Sequence, residues 1–144
     1  MISTQDTCRS AVVVGFDGSE DSRRALEWAA AECELRKAKL VVLHADRWSP
    51  VALELPAFEH EVDAEEGVLD EGVRWALSEH PAVDVSGRRV PPPAGESLVA
   101  ASRDALLLVV GSRGLGHLRQ MLVGSVSRYC VEHATCPVVV LRAS

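Results

Sequence analysis

Ala105-Leu106-Leu107-Leu108-Val109-Val110 runs without a polar residue into Gly111-Ser112-Arg113-Gly114, and nine residues further on stands Gly124-Ser125. An unbroken apolar run of this length suits a strand covered on both faces, as in a parallel sheet. A glycine-spaced loop directly after such a strand is how α/β proteins present backbone N–H groups to phosphate. Glycine at those points lets the backbone approach a ligand with no Cβ between them.

Outward from that stretch, the chain alternates strand and helix. Ala11-Val12-Val13-Val14-Gly15-Phe16 and Leu40-Val41-Val42-Leu43-His44-Ala45 are further buried strands, and Val138-Val139-Val140-Leu141 closes the chain as a fifth. Val83 to Val90 alternates apolar and polar residues, the pattern of an edge strand. Between them the spacing predicts four helices. The first opens at Ser19, a good N-cap, with Glu20 and Asp21 complementing the positive helix end and Ala25, Leu26, Ala29, Ala30 and Cys33 along one face. The second runs from about His60 to Glu79, with Leu69, Val73, Ala76 and Leu77 as its stripe and Gly67 and Gly72 weakening it. A short third runs from about Gly95 to Ser102 after the rigid Pro91-Pro92-Pro93, and a fourth from Ser125 to His133. Strict alternation means one doubly wound parallel sheet with helices on both faces, and right-handed crossovers leave few strand orders. The chain of 144 residues reads as a single domain over 1–144, with no internal repeat or linker.

Composition narrows the function. The chain is 47% apolar but only 4% aromatic, so Val, Leu and Ala fill the core, and the net charge is −6. That acidic balance argues against nucleic-acid or anionic-membrane partners. No apolar run approaches the roughly 18 residues of a membrane span, and Met1 to Thr7 lacks the features of a signal peptide. The expectation is a soluble cytoplasmic protein. Cys8, Cys33, Cys130 and Cys136 form no Cys-x-x-Cys pair and read as reduced core or surface thiols. His44, His60, His80, His117 and His133 show no metal-ligand spacing and read as solvated or capping residues. The phosphate loop of Gly-x-x-x-x-Gly-Lys-Ser/Thr type, the Gly-x-Gly-x-x-Gly dinucleotide loop after the first strand and the Gly-x-Ser-x-Gly nucleophile elbow are all missing from the sequence.

In open α/β sheets, ligands sit beyond the carboxyl ends of the strands, where the strand order reverses. Two ends are prepared for this: Gly15-Phe16-Asp17-Gly18-Ser19 after the first strand, and the glycine loop after the fourth. If those strands are neighbours, Asp17 can bind a ribose hydroxyl or help hold a magnesium ion. The glycine loop and the helix start at Ser125 then hold phosphates, and Arg113 or Arg119 meets the terminal ones. The plainer alternatives are glycines that only permit turns, a Ser125 that only caps its helix, and an Asp17 that only shapes the turn into the first helix.

These residues resemble the universal stress protein family, in the branch that binds ATP. That branch carries Gly-x2-Gly-x9-Gly-Ser/Thr, matched here by Gly111, Gly114, Gly124 and Ser125. The resemblance runs from about residue 9 to residue 142 and includes Val13 to Ser19, Leu43-His44-Ala45 and Cys136-Pro137-Val138-Val139-Val140. It implies a Rossmann-like sheet of order 3-2-1-4-5, of the adenine nucleotide alpha hydrolase type. It places Gly15 and Asp17 beside adenosine, the backbone at Ala45 on the adenine edge, and Val110 and Gly111 on the ribose side. Gly114, Gly124, Ser125 and Val126 are then the phosphate cradle. It further implies a homodimer through the last strand, which pairs an edge that otherwise invites aggregation.

Two departures are visible. Pro91-Pro92-Pro93-Ala94-Gly95 replaces the family's usual turn before the third helix, and Leu106 stands where relatives often have Asp, which is expected to deepen burial of the fourth strand. The segment from Trp48 to Phe58 matches nothing in the family and is either a flap over the nucleotide or a connection. The expected function is an ATP-binding regulatory module acting on its dimer or on an unidentified protein partner, with at most slow hydrolysis. Cyclic AMP would suit the same adenosine half. The alternatives are a nucleotide-free interaction factor and an enzyme domain of the same fold that cleaves the α–β bond of ATP. A Val side chain at Gly124 is expected to enter the phosphate space and abolish binding.

Overall fold

The structure is a computed structural model, and it describes residues 10–46, 59–114 and 123–143. The strands are β1 (Ala11–Gly15), β2 (Lys39–Ala45), β3 (Val85–Val90), β4 (Leu107–Gly111) and β5 (Val138–Leu141). The helices are α1 (Glu20–Arg36), α2 (Glu59–Glu79), α3 (Ala94–Ala101) and α4 (Ser125–His133). The five strands form one sheet of order β3-β2-β1-β4-β5 with every pair parallel. The chain winds outward from β1 to β3 and then returns to β4 on the other side of β1. The switch point therefore lies between β1 and β4, where Val12 is paired with Leu107 and Val14 with Val109.

Alternation along each buried strand divides the core between the two faces. On one face Val12, Val14, Leu40, Val42 and Val109 pack with Ala25, Leu26, Ala29, Ala30, Cys33 and Ala76. The opposite face carries Ala11, Val13, Val41, Leu43, Leu108 and Val110, which pack with Leu98 and Cys130. The small side chains of Ala25, Ala29 and Ala30 let α1 lie close on the sheet, and its whole stripe is buried, as its spacing requires. Burying one Val or Leu side chain is worth about 1.5–3 kcal/mol, so these two clusters hold the layers together.

Two apolar residues fall elsewhere than expected. Leu77 is 46% exposed, because α2 turns Val68, Leu69, Val73 and Trp75 toward the core instead. Gly72 does more than weaken that helix: a Cβ built there would lie 2.7 Å from the Phe16 ring, so the helix approaches through a missing side chain. Leu106 does not deepen burial. It precedes β4, donates its N–H to the Ala11 carbonyl at the entry edge of the sheet, and leaves its side chain 40% exposed. The segment 48–58 lies outside the described residues.

Candidate functional site

β1 and β4 end side by side, and the loops that follow them diverge around a cavity of about 520 Å³, a size that suits a small-molecule ligand. All ten residues singled out in the sequence line it: Gly15 and Asp17 after β1, Ala45 at the end of β2, Val110, Gly111, Arg113 and Gly114 at the end of β4, and Gly124, Ser125 and Val126 at the start of α4. Arg119 lies outside the described residues.

The wall after β1 is built from a helix entry. Asp17 Oδ1 accepts from the Ser19 N–H at 2.9 Å, and the Ser19 hydroxyl accepts from the Ser22 N–H at 3.3 Å, making Ser19 the N-cap of α1. Gly18 turns the chain with φ 86, a left-handed conformation that favours glycine. Asp17 thus shapes the turn and also lines the cavity.

The opposite wall is the loop after β4 and the start of α4. Gly124 is the N-cap of α4 and offers no side-chain acceptor, so Ser125 is the first helical residue and does not cap the helix. The first N–H groups of any helix lack intrahelical acceptors, and here they carry the positive end of the helix toward the cavity. The Gly124 N–H donates to the Ser112 carbonyl at 2.6 Å, and the buried Ser127 hydroxyl lies 2.9 Å from that carbonyl and 3.1 Å from the Gly124 carbonyl. These bonds dock α4 on the loop. A Cβ at Gly124 would meet the Ser112 carbonyl at 3.3 Å and the Arg113 Cα at 3.4 Å. A Val side chain at Gly124 would therefore start against the backbone of the Ser112–Gly114 loop that lines the cavity. At Gly114 a Cβ would instead come within 2.7 Å of Asp17 Oδ2.

Arg113 already has a partner within the chain. Its Nε is 3.4 Å from the carboxylate of Asp21, a residue whose only role in the sequence is to complement the helix dipole. Asp21 is 4% exposed and accepts from the Ser112 hydroxyl at 2.7 Å, the Arg113 N–H at 3.0 Å and the Ala143 N–H at 2.9 Å. Burial opposes its charge, but the bonds from Ser112, Ala143 and Arg113 outweigh that and hold its pKa below the ordinary 3.8. Gly111 permits this approach, since a Cβ there would sit 2.6 Å from the Asp21 carbonyl carbon.

His44 is buried, not solvated. Its Nδ1 donates to the Phe16 carbonyl at 2.9 Å, and its Nε2 is buried with no partner among the described residues. Beside it, Asp46 is paired with Arg89 at 2.8 Å. Neither Asp21 nor the buried His44 announces itself by motif. The one usable signal for Asp21 is an acidic residue in the first turn of a helix whose entry faces the glycine loop across a strand pair. No group of three or more His, Cys, Asp or Glu side chains able to hold a metal occurs among the described residues.

A doubly wound parallel sheet with a ligand-sized crevice at its switch point defines the class of α/β proteins that bind at the strand ends. Within that class the chain belongs to the universal stress protein family, whose match spans residues 9–142. It is 34% identical over 140 residues to a universal stress protein of Mycobacterium tuberculosis, covering 91% of this chain and 47% of that one. The chain thus spans about half the length of the mycobacterial curated relatives it matches. A universal stress protein of Thermus aquaticus is 33% identical over 135 residues, covering 91% of this chain and 97% of the relative. Among solved structures, a universal stress protein in complex with cAMP superposes with a TM-score of 0.70 at 29% identity, covering 95% of this chain and 99% of that one. Among the described residues no helix is long and apolar enough to cross a membrane.

Proposed function

We propose that this chain is an adenine-nucleotide-binding regulatory module of the stress response, with ATP in the crevice between β1 and β4. One observation carries the reading: the glycine-capped N-terminus of α4 and the glycine loop after β4 line one cavity of ligand size together with Asp17. In this reading the backbone of Gly114, Gly124, Ser125 and Val126 cradles phosphate, Val110 and Gly111 flank the ribose with Asp17, and Ala45 meets the adenine edge. The bound cAMP of the similar structure supports an adenosine half of this kind. ATP is favoured over cAMP by the Gly-x2-Gly-x9-Gly-Ser spacing.

The module acts through its assembly. Val138, Val139, Val140 and Leu141 of β5 are half-buried at the outer edge of the sheet, and a second copy paired along that edge would cover them. Nucleotide bound near the end of β4, whose Gly111 pairs with Leu141, then biases the dimer or a protein partner. Isothermal titration with ATP, AMP and cAMP tests the reading: saturable binding to one site per chain is expected, and no binding at millimolar nucleotide sinks it. Sedimentation with and without ATP tests the dimer, which a monomer under both conditions would exclude.

A further inference from the structure

Asp21 makes none of the proposed nucleotide contacts, yet it is a buried carboxylate beside the crevice that accepts from several donors. It rises from the first turn of α1 and takes hydrogen bonds from three backbone or hydroxyl donors on two other segments: Ser112 and Arg113 after β4, and Ala143 after β5. A carboxylate is acceptor-only, and these donors converge on it. It engages the guanidinium of Arg113 through Nε, which leaves the two Nη nitrogens of a cavity-lining residue free of Asp21. A guanidinium held on its Nε side is oriented with its outer fork available to a second anion.

We infer that Asp21 is a positioning residue for the phosphate half of this site. It fixes the Ser112–Arg113 backbone against the start of α4, and it aims Arg113 at a phosphate group. The assignment rests on the nucleotide reading above. Through Ala143 the same carboxylate also joins the phosphate loop to the residues that follow β5. Asp21 touches no ligand atom in this scheme; it acts through Arg113 and Ser112.

The test compares adenosine, AMP and ATP binding to the full chain, as wild type and as Asp21→Asn, Ser112→Ala, Arg113→Ala and the Asp21→Asn/Arg113→Ala pair. Asparagine brings N–H donors to a point where donors already converge. Asp21→Asn is therefore expected to weaken AMP and ATP tenfold or more while adenosine stays within about twofold. Ser112→Ala removes a single donor, keeps the carboxylate and is expected to give a smaller loss of the same selectivity, which covers an Asp21→Asn chain that fails to fold. The double variant is expected to be no weaker than Asp21→Asn alone, because Arg113 acts only when held. Equal losses for adenosine and the phosphorylated ligands, or unchanged binding of all three, overturn the assignment while leaving the nucleotide reading standing. A wild-type chain that binds none of the three overturns both.

Discussion

Asp17 and Gly114 face each other so closely that a Cβ on Gly114 would lie 2.7 Å from the Asp17 carboxylate. A side chain at Gly114 would therefore force the Asp17 carboxylate to shift. The other Asp17 oxygen accepts from the Ser19 N–H at 2.9 Å, so a shift of this carboxylate would disturb the turn into α1. Gly114→Ala is expected to displace Asp17, lower ATP affinity about tenfold and cost about 1–3 kcal/mol in stability by overpacking. Titration calorimetry and a thermal melt on the same variant check both. Wild-type affinity in a folded Gly114→Ala chain would show that this contact does not shape the site.

The buried Asp21 carboxylate predicts a pH dependence of stability. Its folded pKa lies below the ordinary 3.8. Its contribution is thus fully present above the unfolded pKa and is lost as the pH falls below 3.8 through the folded value. Asp21→Asn is expected to destabilise the chain by about 2–4 kcal/mol at neutral pH. It is also expected to flatten the acid limb of the stability curve below pH 3.8. Circular dichroism melts across that range check the sign: a variant that keeps the wild-type acid limb would place the titrating group elsewhere.

Thiol chemistry separates the cysteines. Burial pushes the thiols of Cys33 and Cys130 up to about 11, while Cys136 is only half-buried. At pH 8 a thiol of that pKa is thiolate for about one part in a thousand. In a Cys8→Ser background, one equivalent of a disulfide reagent is expected to react with the native chain, at Cys136, and two more only after denaturation. Prompt reaction of three thiols in the native chain would contradict the buried placement.

Leu106 tests the entry edge of the sheet. At 40% exposure, outside the last buried pair, Leu106→Asp is expected to change stability by less than about 0.5 kcal/mol. The same exchange at Leu108, which is fully buried, is expected to prevent folding. A large loss at Leu106 would mean that its side chain is covered in the assembled protein.

The fold is legible in the sequence because each buried strand is a short apolar run bounded by turn residues, and α1 carries its alanines at helical spacing. The sheet order follows from the family resemblance, since alternation alone leaves several orders open. Of the ten cavity residues, Asp17, Gly111, Arg113, Gly114, Gly124 and Ser125 are legible because strand ends, glycines and a helix start at fixed spacing report backbone geometry, while the roles of Gly15, Ala45, Val110 and Val126 come from the family resemblance. Asp21 and His44 are not, because their roles depend on contacts across the sheet: Asp21 meets Ser112 91 positions away, and His44 meets Phe16 across 28. Leu77 and Leu106 read as buried and are not, because apolarity marks a residue able to be buried, not the face the packing finally chooses.

The most direct test of the central claim is isothermal titration of the purified full chain with ATP, with AMP and cAMP in parallel, after removal of any co-purifying nucleotide. One site per chain is expected, with a dissociation constant below about 1 mM for ATP and a Tm that rises with nucleotide concentration. No heat and no change in Tm at millimolar concentrations of all three nucleotides would contradict it.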